Sequence, residues 1–171
     1  QFYMGAVAAI ALSLKLDGKV PTLVLLVIVC LATALAGGLI GALIGFLKAH
    51  YKANEFLVSM MSTYVALNVM NYLLRTFLKE SKGEYPQTDA ITRAAWLPTI
   101  VKGTRLHAGF VLAVLVAIGI WILLYKTPLG YRIRAVGSND SAARMSGINS
   151  KRVFVTVFFI SGALAGMAGF T

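Results

Sequence analysis

In and just beyond the uncharged stretch Phe56–Leu74, side chains able to hydrogen-bond a polar solute recur at helical spacing. Tyr64, Asn68, Asn71 and Arg75 fall at i, i+4, i+7 and i+11, which puts them on one helix face. Ser59, Ser62 and Thr63 lie one to three turns earlier. Polar groups at membrane depth are costly and usually face protein or water. Ser59, Thr63, Asn68 and Asn71 are therefore the candidate substrate path. Interhelical hydrogen bonds use the same residue types, and Ser and Thr also bond to their own helix backbone. Glu55 opens the stretch, where a helix N-terminus favours a carboxylate. No catalytic set accompanies them. His50 and His107 are far apart in sequence, and Cys30 is the one cysteine. An intrachain disulfide is thereby excluded, and no metal site is expected. The chain has no G-x-x-x-x-G-K-[ST] phosphate loop, so it does not bind ATP by that device. It reads as a non-enzyme with no cofactor of its own.

The elements that must position these residues are apolar. Hydrophobic residues make up 58% of the 171 positions and charged residues 13%, about half the roughly 25% of a soluble domain. Too few polar residues remain to cover a globular surface, and disorder is excluded for the same reason. A bilayer span needs about 20 mostly apolar residues. Spans are predicted at 22–47, 56–74, 108–125 and 153–171, with 2–14 as part of a fifth. Both ends of the chain fall inside apolar segments, and no signal peptide is visible at Gln1-Phe2-Tyr3. The expected fold is all-α: a polytopic transmembrane helical bundle of four spans plus part of a fifth, in a single transmembrane domain incomplete at both ends.

Small residues point to close helix packing in lipid. Gly37, Gly41 and Gly45 repeat every fourth residue, with Gly38 and Ala42 beside them. The last span carries Ser161, Ala165 and Gly169 on one line and Gly162 and Gly166 next to it. Ala34-Leu35-Ala36-Gly37 is echoed by Ala163-Leu164-Ala165-Gly166, as an internal transporter repeat would be. Generic packing accounts for these glycines; a translocation path that changes shape is the sharper alternative.

The 16 Lys+Arg against 6 Asp+Glu give a net charge of +10. In an apolar chain that excess belongs to loops beside a membrane and not to nucleic acid. The cations divide equally between the two sides of the alternating spans. Lys79, Lys82 and Arg93 lie away from span ends, which tilts 48–55 and 126–152 towards the cytoplasm.

Lys126–Arg152 reads KTPLGYRIRAVGSNDSAARMSGINSKR and is too polar to cross the bilayer. Asn139 or Ser138 can cap a helix, Asp140 suits its first turn, and Ser141–Ser146 supply about two turns. Gly147 suits the position just past the end. Ala142 and Ala143 would let a partner dock closely. Arg132, Arg134, Lys151 and Arg152 would equally hold an interfacial helix to anionic lipid.

S-A-A-x-x-x-G at Ser141–Gly147 resembles the E-A-A-x-x-x-G loop of ABC importer permeases. The string Gly130–Asn149 and S-G-A-L-A-G-M-A-G at Ser161–Gly169 are similar to permeases for simple sugars, nucleosides and branched-chain amino acids. G-F-L-K-A at Gly45–Ala49, N-E-F-L-V-S-M-M at Asn54–Met61, P-Q-T at Pro86–Thr88 and Leu97-Pro98 resemble the nucleoside/simple-sugar branch. Two positions depart from the pattern: Ser141 stands for Glu, and Thr63 for Asn.

The resemblance implies a coupling helix at Asn139–Ile148, comprising Asn139, Asp140, Ser141, Ala142, Ala143, Arg144, Met145, Gly147 and Ile148. It would seat on a separate ATP-binding subunit that carries ATP and Mg. Further implied partners are a solute-binding lipoprotein, a second permease subunit forming a homo- or heterodimer, and membrane lipid. The location implied is the bacterial plasma (inner) membrane, with 48–55 and 126–152 cytoplasmic and 15–21 and 75–107 extracytoplasmic. Tyr85 and Trp96 would sit at the outer membrane interface. The function implied is uptake of a nucleoside or simple sugar by alternating access. A branched-chain amino acid is the alternative substrate, and a secondary transporter or channel without an ATPase is the alternative class.

Overall fold

The computed structural model describes residues 1–16, 21–76 and 108–169. The chain is all-α over these residues, in seven helices: α1 (Phe2–Leu16), α2 (Thr22–Tyr51), α3 (Glu55–Thr76), α4 (Gly109–Lys126), α5 (Pro128–Ser138), α6 (Asp140–Met145) and α7 (Ser150–Ala168). Four of the described helices, α2, α3, α4 and α7, are long and apolar enough to cross a membrane. Tyr85, Trp96, Pro86–Thr88, Leu97-Pro98 and most of the 75–107 connection lie outside the described residues, as does most of 15–21.

The helices overrun the uncharged stretches that announce them. α2 continues past Leu47 through Lys48 and His50, and ends where Lys52 turns left-handed at φ 53°. The Lys52 N–H returns to the Lys48 carbonyl. Two residues on, the Asn54 side chain accepts from the Phe56 N–H at 3.0 Å and starts α3. A charge ends an uncharged run without ending a helix, because only backbone geometry and capping do that.

The bundle's most extensive contact is α2 against α7. There the backbones themselves meet. A methyl placed on Gly37 would fall 2.8 Å from Gly166 Cα, and one on Gly162 would fall 3.0 Å from Gly41 Cα. Gly45 faces Val155 and Phe158 in the same way. The two Ala-Leu-Ala-Gly strings therefore lie across from one another. α1 joins them at the same residue: a methyl on Gly5 would fall 2.7 Å from Gly166 Cα, and Gly169 faces Phe2 and Ala6. Lipid supplies no hydrophobic drive for helix association, so close van der Waals approach at small residues must do it. Along α2, Leu25 and Val29 pack against Ala9 of α1, with Thr33 fully buried beside them. Thr33 meets its own polar requirement by donating to the Cys30 carbonyl at 2.8 Å.

The outer surfaces of α2, α3 and α4 carry exposed Leu, Val, Ile, Phe and Met. A soluble protein does not leave such surface bare, whereas lipid or neighbouring helices cover it. An apolar cavity of about 470 Å³ separates α4 from α7, lined by Leu112, Val116, Ile120, Leu164 and Met167 among others.

Gly41→Leu in the full-length protein should destabilise the fold by about 2–3 kcal/mol, since neither backbone can retreat without opening the helix pair. Gly119, where an added methyl group would meet nothing within 4 Å, is the control. Thermal unfolding in detergent should drop clearly for Gly41→Leu and hardly move for Gly119→Ala.

Candidate functional site

The polar segment between α4 and α7 is built from the end of α4 downward. Thr127 caps α5, its Oγ1 accepting from the Gly130 N–H at 3.2 Å while donating to the Leu123 carbonyl. Pro128 occupies the first turn, where its missing N–H costs nothing. Gly130 allows the reversal, because a methyl there would lie 2.5 Å from the Leu124 carbonyl carbon. α5 is a helix that the sequence reading treats as loop. The Thr-Pro pair at 127–128 was the available start signal, and Arg134, stacked 5.1 Å over the Tyr125 ring, ties it back to α4.

α6 is short, so its ends decide its stability. The Asn139 side chain accepts from the Ala142 N–H at 3.1 Å. At the other end Gly147 is left-handed, φ +80°. The Gly147 N–H reaches the Arg144 carbonyl at 2.9 Å, and the Ile148 N–H reaches the Ala143 carbonyl at 3.0 Å. This is a Schellman termination, with its usual apolar contact between Ile148 and Ala143. Of the two proposed caps, Asn139 does the capping, and Ser138 instead donates to the Arg134 carbonyl at the end of α5.

Ion pairing holds α6 from the side. Arg144 Nη2 donates to Asp140 Oδ2 at 2.7 Å, and its Nε reaches Asp140 Oδ1 at 3.3 Å and the Ser150 hydroxyl at 3.4 Å. The Ser150 hydroxyl, and then the Arg144 guanidinium, hold the Asp140 carboxyl below the usual carboxylate range.

The pairing of Ala142 with Ala143 as one docking face needs correction. Ala143 is 4% exposed and sits in a small core with Val136 of α5 and Val153 of α7. Neighbouring helix positions point about 100° apart, so both cannot face a partner. Ala142 and Ser141 remain exposed, as do Gly147 and Asn139. Met145, an apolar side chain in a polar segment, is 90% exposed.

The candidate substrate path divides as well. Only Ala66 of α3 is buried, and it lies on the opposite side from Tyr64, Asn68 and Asn71. Those three side chains point away from α1 and α2 and are exposed. The Asn68 amide donates to the Tyr64 carbonyl at 2.9 Å. Ser59 falls on the Ala66 side, and the Thr63 hydroxyl donates to the Ser59 carbonyl at 2.9 Å. The structure thus keeps Asn68 and Asn71 together and separates Ser59 and Thr63 from them. Glu55 does more than meet a helix end: it pairs with Lys48 across the α2–α3 turn. Lys48 also stands 5.1 Å over the Phe154 ring of α7. Among the described residues no group of His, Cys, Asp and Glu could hold a metal ion.

Membrane-length helices joined by a polar, doubly capped helix define a polytopic membrane protein. The chain belongs to the family described as branched-chain amino acid transport system / permease component, whose model matches residues 1–171. It is 32% identical to the glucose ABC transporter permease protein TsgB13 of Haloferax volcanii over 99% of this chain and 47% of that one. It is 33% identical to the guanosine ABC transporter permease protein NupP of Bacillus subtilis over 71% of this chain and 36% of that one. A nucleoside ABC transporter permease protein, NupB of Lactococcus lactis, is 27% identical over 68% of this chain and 34% of that one. The chain thus spans between a third and a half of the curated relatives it matches. No solved structure matches it.

Asn139→Ala should cost about 1 kcal/mol of α6 stability, and Gly147→Ala about as much through its left-handed backbone. Hydrogen exchange of 140–148 should speed up in both variants while α2 stays protected. Asp140 carries a lowered pKa, so its support for α6 is complete above the ordinary carboxylate value of about 3.9 and disappears only as pH falls through the lowered one. Exchange of 140–148 at matched chemical rates should therefore be flat from pH 8 to about 4 and rise only below that range.

Proposed function

We propose that this chain is part of the membrane-spanning subunit of an ABC importer that takes up a nucleoside or a simple sugar by alternating access. Three relatives that cover two thirds or more of the chain are named for glucose, guanosine and nucleosides. The relative named for branched-chain amino acids covers 40% of it, so that substrate is the second choice. ATP and Mg belong to a separate ATP-binding subunit. A solute-binding lipoprotein delivers the solute, and a second permease subunit, identical or paralogous, completes the pathway. The location is the bacterial plasma membrane, with 48–55 and 126–152 on the cytoplasmic side and 15–21 and 75–107 on the other.

The observation that carries this reading is α6. Its inner face is bonded to the foot of α7, while its outer face offers Ser141, Ala142 and the bare Met145. Exposed Met in a polar surround suits a hydrophobic slot on a partner. A partner that moves α6 moves α7 directly, since only Ser146–Asn149 separate them. The coupling residues on this reading are Asn139, Asp140, Ser141, Ala142, Arg144, Met145, Gly147 and Ile148, with Ala143 as their anchor. Asn68 and Asn71 face outward from the described helices, and at membrane depth such amides need protein, water or solute beside them. They are the proposed solute-facing pair.

Ala142→Arg and Met145→Asp, placed separately in the full-length transporter, should each reduce uptake at least about tenfold, the effect of losing roughly 1.4 kcal/mol at one docking contact. Both positions are exposed, so expression and thermal stability should hold. Normal uptake and normal solute-stimulated ATPase in both variants would remove α6 from the coupling route. Purification without any ATP-binding subunit, together with uptake driven by an ion gradient alone, would favour a secondary transporter.

A further inference from the structure

A cleft of about 480 Å³ lies where the α2–α3 turn meets the start of α7, and of its lining the transport reading uses Arg144 alone. Its lining brings together Lys48, His50, Lys52, Glu55, Arg144 and Lys151, from segments nearly a hundred positions apart in the chain. Four of these are fixed cations and one is a carboxylate. Glu55 is engaged by Lys48, and the Arg144 guanidinium is engaged by Asp140. Lys52 and Lys151 are exposed, and neither forms an ion pair among the described residues. The cleft therefore holds two cations whose charge nothing nearby balances.

Three further features select the occupant. The cleft sits at the ends of α2, α3 and α7, all of membrane length, so it opens at the height where lipid headgroups lie. It lies at the N-terminal ends of α3 and α7, whose dipoles favour an anion, and at the C-terminal end of α2, where Lys48 and Lys52 offset the opposing dipole. Phe154 forms one wall, and Tyr51, Phe56 and Leu57 are exposed beside it. A free anion has no use for that apolar rim, whereas the glycerol and first methylenes of a lipid do. From this geometry we infer that the cleft binds the phosphate diester of an anionic phospholipid, with Lys52 and Lys151 on the phosphate oxygens and the acyl chains running along the α2–α3 surface. Arg144 borders both this cleft and the coupling segment, but Lys52 and Lys151 are not among the coupling residues, and binding here needs neither the solute nor the ATPase. Its readout is lipid retention and not transport.

The test uses the full-length permease in nanodiscs of zwitterionic lipid with a small fraction of phosphatidylglycerol, and native mass spectrometry counts the lipid retained. The double variant Lys52→Asn and Lys151→Gln removes both free charges; Asn is suited to the left-handed position 52. Each cation near a charged lipid surface contributes enough that losing two should weaken retention roughly thirty-fold. The control, Lys15→Gln with Arg75→Gln, removes the same charge at the other end of the bundle and should stay within about twofold of the native protein. Equal retention by the double variant and the native protein overturns the proposal, as does an equal loss in the control. Displacement of the lipid by millimolar inorganic phosphate would make the ligand a free anion, and displacement by the ATP-binding subunit would make it a protein. Either result also overturns it.

Discussion

The structure depends on backbone meeting backbone at Gly166. α1 approaches it through Gly5 and α2 through Gly37, each so closely that a single methyl group would lie 2.7–2.8 Å from its Cα. In water, apolar side chains would drive such an assembly by burial. In lipid that drive vanishes, and what remains is van der Waals contact over surfaces that can come very near. Glycine on both partners is the arrangement that permits it. α7 thereby packs against both α1 and α2, which also pack on each other, and everything attached to its first turn inherits a defined position.

What is attached there is α6. Ala143, Val136 and Val153 lock α5, α6 and the foot of α7 into one small core. Arg144 bridges Asp140 and Ser150 across the same joint. Lys48 reaches from α2 over Phe154 and Phe158 of α7 and pairs with Glu55 of α3. Exposed ion pairs contribute little stability individually. Their value here is geometric, because Lys48 ties α2 to α3 and α7 at one end of the bundle while glycines join α2 and α1 to α7 further along. α7, about 28 Å long at 1.5 Å per residue, links the two joints. A short surface helix would move alone if its caps and its inner face were loose. Here neither is loose: α6 is capped at both ends and packed through Ala143 on the foot of α7.

Sequence legibility followed the range of the forces involved. The caps of α6 were readable because Asn139, Asp140 and Gly147 act within one or two turns of their own positions. The spans were readable because lipid acts on every residue alike. α5 was missed because its basic, mixed composition looks like loop until Thr127 and Pro128 are seen to start it and Tyr125 to hold it. Ala143 was placed outward because a two-turn helix carries too few residues to show its own buried face. Gly5 attracted no notice because it stands alone; its importance comes from Gly166, far along the chain. The candidate path divides between two faces of α3 for a similar reason. Ser59 and Thr63 are near Asn68 in sequence, but the side on which α3 packs was needed to separate them.

The sequence by itself determined that the chain is helical, membrane-embedded and locally capped at α6. Composition, hydrogen-bond capping and backbone preference at single residues operate without long-range contacts. Only the tertiary structure decided which glycines meet, which alanine faces inward, and that Lys52 and Lys151 share a cleft. Those are pairings between segments distant in sequence, and a one-dimensional pattern carries no distance between its parts. Charge shows the difference most plainly. Counted along the chain, the sixteen cations split evenly and orient nothing. Folded, two of them are left without a counter-charge at one rim of the bundle, because their neighbours Lys48 and Arg144 have already taken the nearby carboxylates.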